Sequence, residues 1–93
     1  MYKVFLSNRY KKSLKRAKQF RNFDKAEVED VVKVLERGEH LNARYYDHPL
    51  KGEYAGIREC HVRNDLLLLY QKKDDILVLL LVDIGTHASV FGK

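Results

Sequence analysis

The chain has one cysteine, Cys60, in 93 residues. No disulfide can form within it, and a cysteine-rich zinc site is excluded. Its longest unbroken apolar run, Ile76 to Val82, is far too short to span a bilayer. The N-terminal "MYKVFLSNRYKK" has no apolar stretch of signal-peptide length, so a cytoplasmic protein with no membrane partner is expected. The only proline falls in residues 39–53, which have no clear hydrophobic period and read as a loop. The scarcest feature is negative charge at one end. Residues 1–23 carry Lys3, Arg9, Lys11, Lys12, Lys15, Arg16, Lys18 and Arg21 and no acidic residue. From Asp24 onward acids and bases are close to balanced, so the net charge of +5 belongs to the N-terminal end. A one-sign block points to a polyanionic partner, although a solvated helix face is the plainer reading.

What is present fits a soluble globular protein: 45% hydrophobic and 33% charged residues. The length supports a single domain over 1–93 with one modest core, worth roughly 5–14 kcal/mol of net stability. "YKVFLS" reads as a strand. Ser7 or Asn8 then caps a helix to about Phe20, with Tyr10, Leu14 and Ala17 on one stripe and the basic residues on the remaining arc. Asp24 and Glu27 have capping-box spacing for a second helix. Val28, Val31, Val32 and Leu35 follow at i, i+3, i+4 and i+7, and Gly38 suits the C′ position. "GIRECHV", "LLLLYQ" and "ILVLLLVDI" read as strands, with a polar turn at "KKDD" and the last strand expected at the sheet centre. The order β-α-α-β-β-β predicts an α+β domain, an antiparallel sheet with a two-helix hairpin packed on one face.

Of four histidines, His40 reads as surface, while His48, His61 and His87 fall in or beside the predicted sheet. In "GIRECHV", Ile57, Glu59 and His61 share one face, and Arg58, Cys60 and Val62 the other. Cys60 and Val62 suit the core, which leaves Glu59 and His61 on the more open side. With Asp65 in the following turn, a cluster of His48, His61, Asp65 and His87 beside Glu59 is geometrically allowed. Three readings compete: hydrogen-bonded structural histidines, a metal site, and general acid–base catalysis. Three histidines and an aspartate form a reasonable divalent ligand set, but none has a recognised metal-motif spacing. Imidazoles can remove and return protons near neutral pH, a step worth about 10²–10⁴ in rate. RNA suits such a site, because its own 2′-OH can attack the adjacent phosphate without a cofactor. Residue chemistry leaves the three open, and the basic helix tilts the choice toward nucleic acid. Tyr45, Tyr46, Tyr54, Tyr70 and Phe91 are aromatic candidates for base stacking, of which Tyr70 reads more readily as core.

"YYDHPLKGEYAGIRECHVRNDLLLLYQ" followed by "GTHASVFGK" closely resembles the YafQ branch of the RelE/ParE superfamily of bacterial toxins. The shared pattern is a DH-x-L-x-G segment, a G-x-R-[DE]-C-H strand, an acid in the hairpin turn, an apolar strand ending in Tyr, and a terminal GTH-x-x-x-F. The motifs cover about half the chain, and the element order extends the likeness to a RelE-like fold throughout. Leu66 stands where this branch often carries Trp, which bears on base preference at the cut. The resemblance implies a type II toxin that cleaves mRNA in the ribosomal A site without a metal or cofactor, using the 2′-OH as nucleophile. It assigns His48 and His87 as the base–acid pair. His61 and Asp65 would orient substrate or stabilise charge, and Glu59 would act directly or through His61. Phe91 would hold the mRNA base, with Lys51 and Arg63, and less readily Arg58, as cationic substrate contacts.

The resemblance also implies partners: a cognate antitoxin, the ribosome and mRNA, and operator DNA reached through the antitoxin. Arg9, Lys11, Lys12, Lys15, Arg16 and Lys18 would face ribosomal RNA. A non-catalytic or gyrase-targeting ParE-like member of the same fold is the alternative. The three histidines and the GTH-x-x-x-F ending favour RNA cleavage.

Overall fold

Both long helices begin at the caps that the sequence offers. In the computed structural model, which describes residues 1–92, strand β1 (Lys3–Leu6) leads directly into α1 (Asn8–Ala17). Ser7 Oγ accepts from the Tyr10 amide at 2.9 Å and donates to the Val82 carbonyl at 2.7 Å, so the N-terminus of α1 is capped and fixed to a strand together. The helix stops three residues before the expected Phe20, because the amides of Gln19 and Phe20 turn back to Arg16 and Ala17 in tighter i to i+3 bonds. Helix α2 (Lys25–Glu36) is capped by Asp24, whose carboxylate accepts from Ala26. The capping box is not closed, since Glu27 reaches Arg63 instead. Gly38 follows at φ +76, the left-handed conformation that ends a helix at little cost.

The remaining elements are β2 (His48–Pro49), β3 (Arg58–Arg63), β4 (Leu66–Lys73), β5 (Val78–Gly85) and a terminal helix α3 (His87–Phe91). Short 3-10 turns lie at Ala43–Tyr45 and Gly52–Tyr54. The strands form one sheet in the order β1-β5-β4-β3-β2. The α+β class and the element order agree with the sequence reading, with the two-residue β2 added from the stretch read as loop. The sheet is mixed, not wholly antiparallel: β1 pairs with β5 in parallel, Lys3 opposite Val78 through Leu6 opposite Leu81. No hairpin joins these two strands. The chain returns only after the helix pair and three strands, and so long a crossover permits parallel pairing.

The central strand is β4, not "ILVLLLVDI". Leu66 to Tyr70 are all buried because both faces are covered. Leu66, Leu68 and Tyr70 meet Tyr10, Val28, Val31 and Leu35 of the helix pair, with Cys60, Val62, Leu79, Leu81 and Ile84. Leu67 and Leu69 face the other way, onto Val90 of α3 with Leu50, Ile57, Val82 and Phe91 around them. Strand β5 begins at Val78, because Ile76 and Leu77 sit exposed in the preceding turn and Leu77 adopts φ +52. Among the described residues no helix is long and apolar enough to cross a membrane.

Two core tyrosines give the fold a pH limit. Tyr10 is 3% exposed, and burial pushes its phenol up to about 12. Tyr70 is raised further, by burial and then by its bond to Asp47. The folded state holds both neutral, while an unfolded tyrosine ionises near 10. Their contribution is therefore whole below pH 10 and is lost as pH rises, at about 1.4 kcal/mol per pH unit for each residue. Thermal melts should show Tm falling above about pH 10, and Tyr10→Phe should flatten that fall. An unchanged slope in Tyr10→Phe would contradict this assignment.

Candidate active site

The stretch after α2 reaches the sheet through Asp47. Its carboxylate accepts from Tyr70 Oη at 2.6 Å and from Arg58 Nε at 3.1 Å, clamping the loop to β4 and β3. Burial works most strongly against the Arg58 charge, but the bonds and charge attractions of Asp47 and Tyr70 together outweigh it and raise the guanidinium above its ordinary value. The next residue, His48, then pairs with Glu59 in the β2–β3 register. His48 Nδ1 lies 2.6 Å from the Tyr46 carbonyl. A carbonyl only accepts, so Nδ1 carries the proton and Nε2 is the nitrogen left to face the site.

Glu59 is the hub. Its residue is 6% exposed, and a single oxygen, Oε1, lies 3.2 Å from His61 Nε2 and 3.6 Å from His48 Nε2. The face assignment of β3 holds: Glu59 and His61 lie opposite the buried Cys60 and Val62. Burial, with Asp47 and Glu59 adding to it, raises the Cys60 thiol well beyond the ordinary thiol range, so this side chain packs and does not react.

His87 arrives from the other side. Strand β5 ends at Gly85, Thr86 caps α3 by accepting from the Ser89 amide at 3.1 Å, and His87 is the first helical residue. Its ring lies 5.0 Å from that of Phe91, one turn on, and Phe91 meets Tyr54 edge to face at 5.2 Å. His48, Glu59, His87 and Phe91 line one open cleft of about 390 Å3 with Leu50, Glu53 and Tyr54. Two imidazoles from separate elements, a buried carboxylate and an aromatic wall thus share one recess.

The other candidates stand apart from that recess. His61 touches it only through Glu59, and its ring packs on Tyr46 at 5.7 Å. Asp65 is exposed in the β3–β4 turn, in a separate hollow with Phe23, Arg63 and Thr86. Arg63 forms an ion pair with Glu27 at 3.0 Å and donates to the Asn22 carbonyl at 2.7 Å, tying β3 to the helix pair. Arg58 belongs to the Asp47 clamp, while Lys51 is exposed beside the 52–54 turn. On α1, Lys11, Lys12, Lys15, Arg16 and Lys18 face solvent, and among the described residues none pairs with a carboxylate. Arg9 is half-exposed beside them but differs in pairing with a carboxylate, Asp83, at 2.8 Å. Leu50 and Glu53 were not anticipated in the cleft, and Asp47 was not anticipated as its anchor. The DH pair in "YYDHPL" contained the second signal.

The chain matches, over residues 2–92, the family described as a bacterial toxin of type II toxin–antitoxin systems, YafQ. It is 37% identical over 87 residues to the mRNA interferase toxin YafQ of Escherichia coli K12, covering 92% of this chain and 91% of that one. Among solved structures it is similar to a metal-bound toxin from Helicobacter pylori, with 38% identity, a TM-score of 0.89 and coverage of 98% and 100% of the two chains. It is also similar to the toxin in the E. coli DinJ–YafQ complex, with 31% identity, a TM-score of 0.86 and coverage of 99% and 100%.

Proposed function

Since the chain belongs to the YafQ family of type II toxin–antitoxin toxins, we propose that it is an mRNA interferase, an endoribonuclease that cuts mRNA in the ribosomal A site and halts translation. The observation that carries this reading is the meeting of His48 and His87 in one cleft, with Glu59 beneath and Phe91 at the wall. One imidazole takes the proton of the RNA 2′-OH, and that oxygen attacks the adjacent phosphorus. The bond to the 5′-oxygen breaks as the other imidazole returns a proton to it. The products are a 2′,3′-cyclic phosphate and a 5′-hydroxyl. Glu59 orients His48 and His61 and balances their charge when protonated, and Phe91 stacks on a base.

The exposed cations of α1 suit ribosomal RNA, where phosphate and shape recognition suffice. Lys51 is an exposed cation on the loop beside the cleft, without a carboxylate partner among the described residues. The H. pylori toxin of this fold is metal-bound. Here, among the described residues, no three His, Cys, Asp or Glu side chains are arranged to hold a metal, and the steps above use only this chain's groups. A cognate antitoxin partner follows from the family, as in the DinJ–YafQ complex. An acidic or amphipathic segment that folds on binding would suit the basic surface.

End-group analysis of the cut RNA tests the chemistry. The expected ends are a 2′,3′-cyclic phosphate or its 3′-phosphate hydrolysis product, with a 5′-hydroxyl. Toxin stripped of transition metals should cut at an unchanged rate. Fragments with 3′-hydroxyl and 5′-phosphate ends, or activity lost on stripping and restored by a metal, would refute the mechanism.

A further inference from the structure

We propose that Arg9 is a positioning residue that tethers the tail helix bearing His87 and Phe91, a role beyond the RNA contact its charge suggests. Its role in cleavage rests on the function proposed above; the tether itself does not. The charge pattern alone places Arg9 in the basic block, but its guanidinium is committed elsewhere. Nε lies 2.8 Å from Asp83 Oδ2, and Nη2 donates to the Val90 carbonyl at 2.7 Å. The Asp83 side chain is 2% exposed, and its other oxygen accepts from the Ile84 amide at 2.9 Å. A buried carboxylate needs such a partner.

The two ends of this fork matter. One fixes the end of β5, just before the tail; the other fixes the last turn of α3. A five-residue helix cannot hold itself together in water. Its final carbonyls lack partners within the helix, and Arg9 supplies one. The planar guanidinium sets the two donors at a fixed geometry, which an ammonium cannot do. Arg9 is itself anchored, because Ser7 both caps α1 and bonds β5. At Gly85 a Cβ would collide with Ser89 Oγ, so α3 folds back closely on the strand it leaves. The tether thereby sets the direction of His87, at the start of the helix, and of Phe91, at its end.

The test uses the purified full-length toxin with Arg9→Ala and Arg9→Lys, each also combined with His87→Ala. In Arg9→Ala, amide exchange at Val90 and Gly92 should accelerate while that of β4 is unchanged. Cleavage of ribosome-bound mRNA should lose on the order of 10²-fold in kcat. Arg9→Lys keeps a charge beside Asp83 and should hold the wild-type Tm, yet lose on the order of tenfold in kcat. Should Arg9→Ala fail to fold, Arg9→Lys carries the test. In the His87→Ala background each change should cost less than in the wild type, because only the Phe91 contact is left to lose. Wild-type exchange at Val90 and Gly92 in folded Arg9→Ala would overturn the proposal. So would a raised KM at unchanged kcat, or an equal loss in the His87→Ala background. Faster tail exchange in Arg9→Ala, where the wild-type toxin itself cuts no RNA, would support the tether and sink the catalytic reading of the cleft.

Discussion

His87→Ala is expected to lower mRNA cleavage by about 10²–10⁴-fold, the usual worth of a positioned proton-transfer group. The fold should survive the change. His87 is exposed, its recorded contact is with the Phe91 ring, and the core of that face rests on Leu67, Leu69 and Val90. The loss should fall on kcat, because binding through the α1 cations and Phe91 is left in place. Induced in cells at wild-type levels, the variant should permit continued protein synthesis. A full translation arrest by His87→Ala would remove this residue from the mechanism.

Asp47→Ala is expected to damage both stability and cleavage. One carboxylate serves two donors, Arg58 Nε and Tyr70 Oη, and the Tyr70 residue is only 1% exposed. Truncation leaves that hydroxyl unpaired inside the protein, at a cost of about 1–3 kcal/mol. In a domain of this size the drop in Tm should be about 5–20 °C. The loop that carries His48 loses its anchor as well, so kcat should fall even well below the new Tm. Tyr70→Phe removes donor and need together and should cost less. Equal losses in the two variants would contradict the shared clamp.

The elements were legible because their signals are local. Ser7 and Asp24 sit three and four residues before apolar periods of helical spacing, and both cap as the pattern indicates. Strand parity likewise put Cys60 on one face and Glu59 with His61 on the other, where Glu59 is buried and not open as expected. What escaped the sequence depends on distant partners. Nothing near "KVFL" shows that β1 will lie parallel to β5, and nothing in the apolar run "ILVLLLVDI" distinguishes a central strand from its neighbour. Burial of both faces of β4 requires the tail to fold as a helix, and only the Thr86-to-Ser89 cap hints at that.

The site was legible in part for the same reason. Resemblance brought His48, Glu59, His87 and Phe91 forward, and the fold gathers them around one cleft. It does not bring Asp65, Arg58 or Arg63 to that cleft, because turn position and ion pairing hold them elsewhere. Charge counting placed Arg9 on the basic face, and its half-exposed side chain does lie there, yet it also pairs with the buried Asp83. A one-dimensional charge pattern cannot reveal a partner 74 positions away in the chain.

The central claim is that this cleft cuts mRNA as the ribosome reads it. Primer extension on one message, with its start codon intact or destroyed, tests that most directly. With toxin added, cuts should appear within the coding region of the translated message and vanish when the start codon is lost. Cuts of equal strength on the untranslated message, or none on either, would contradict the account.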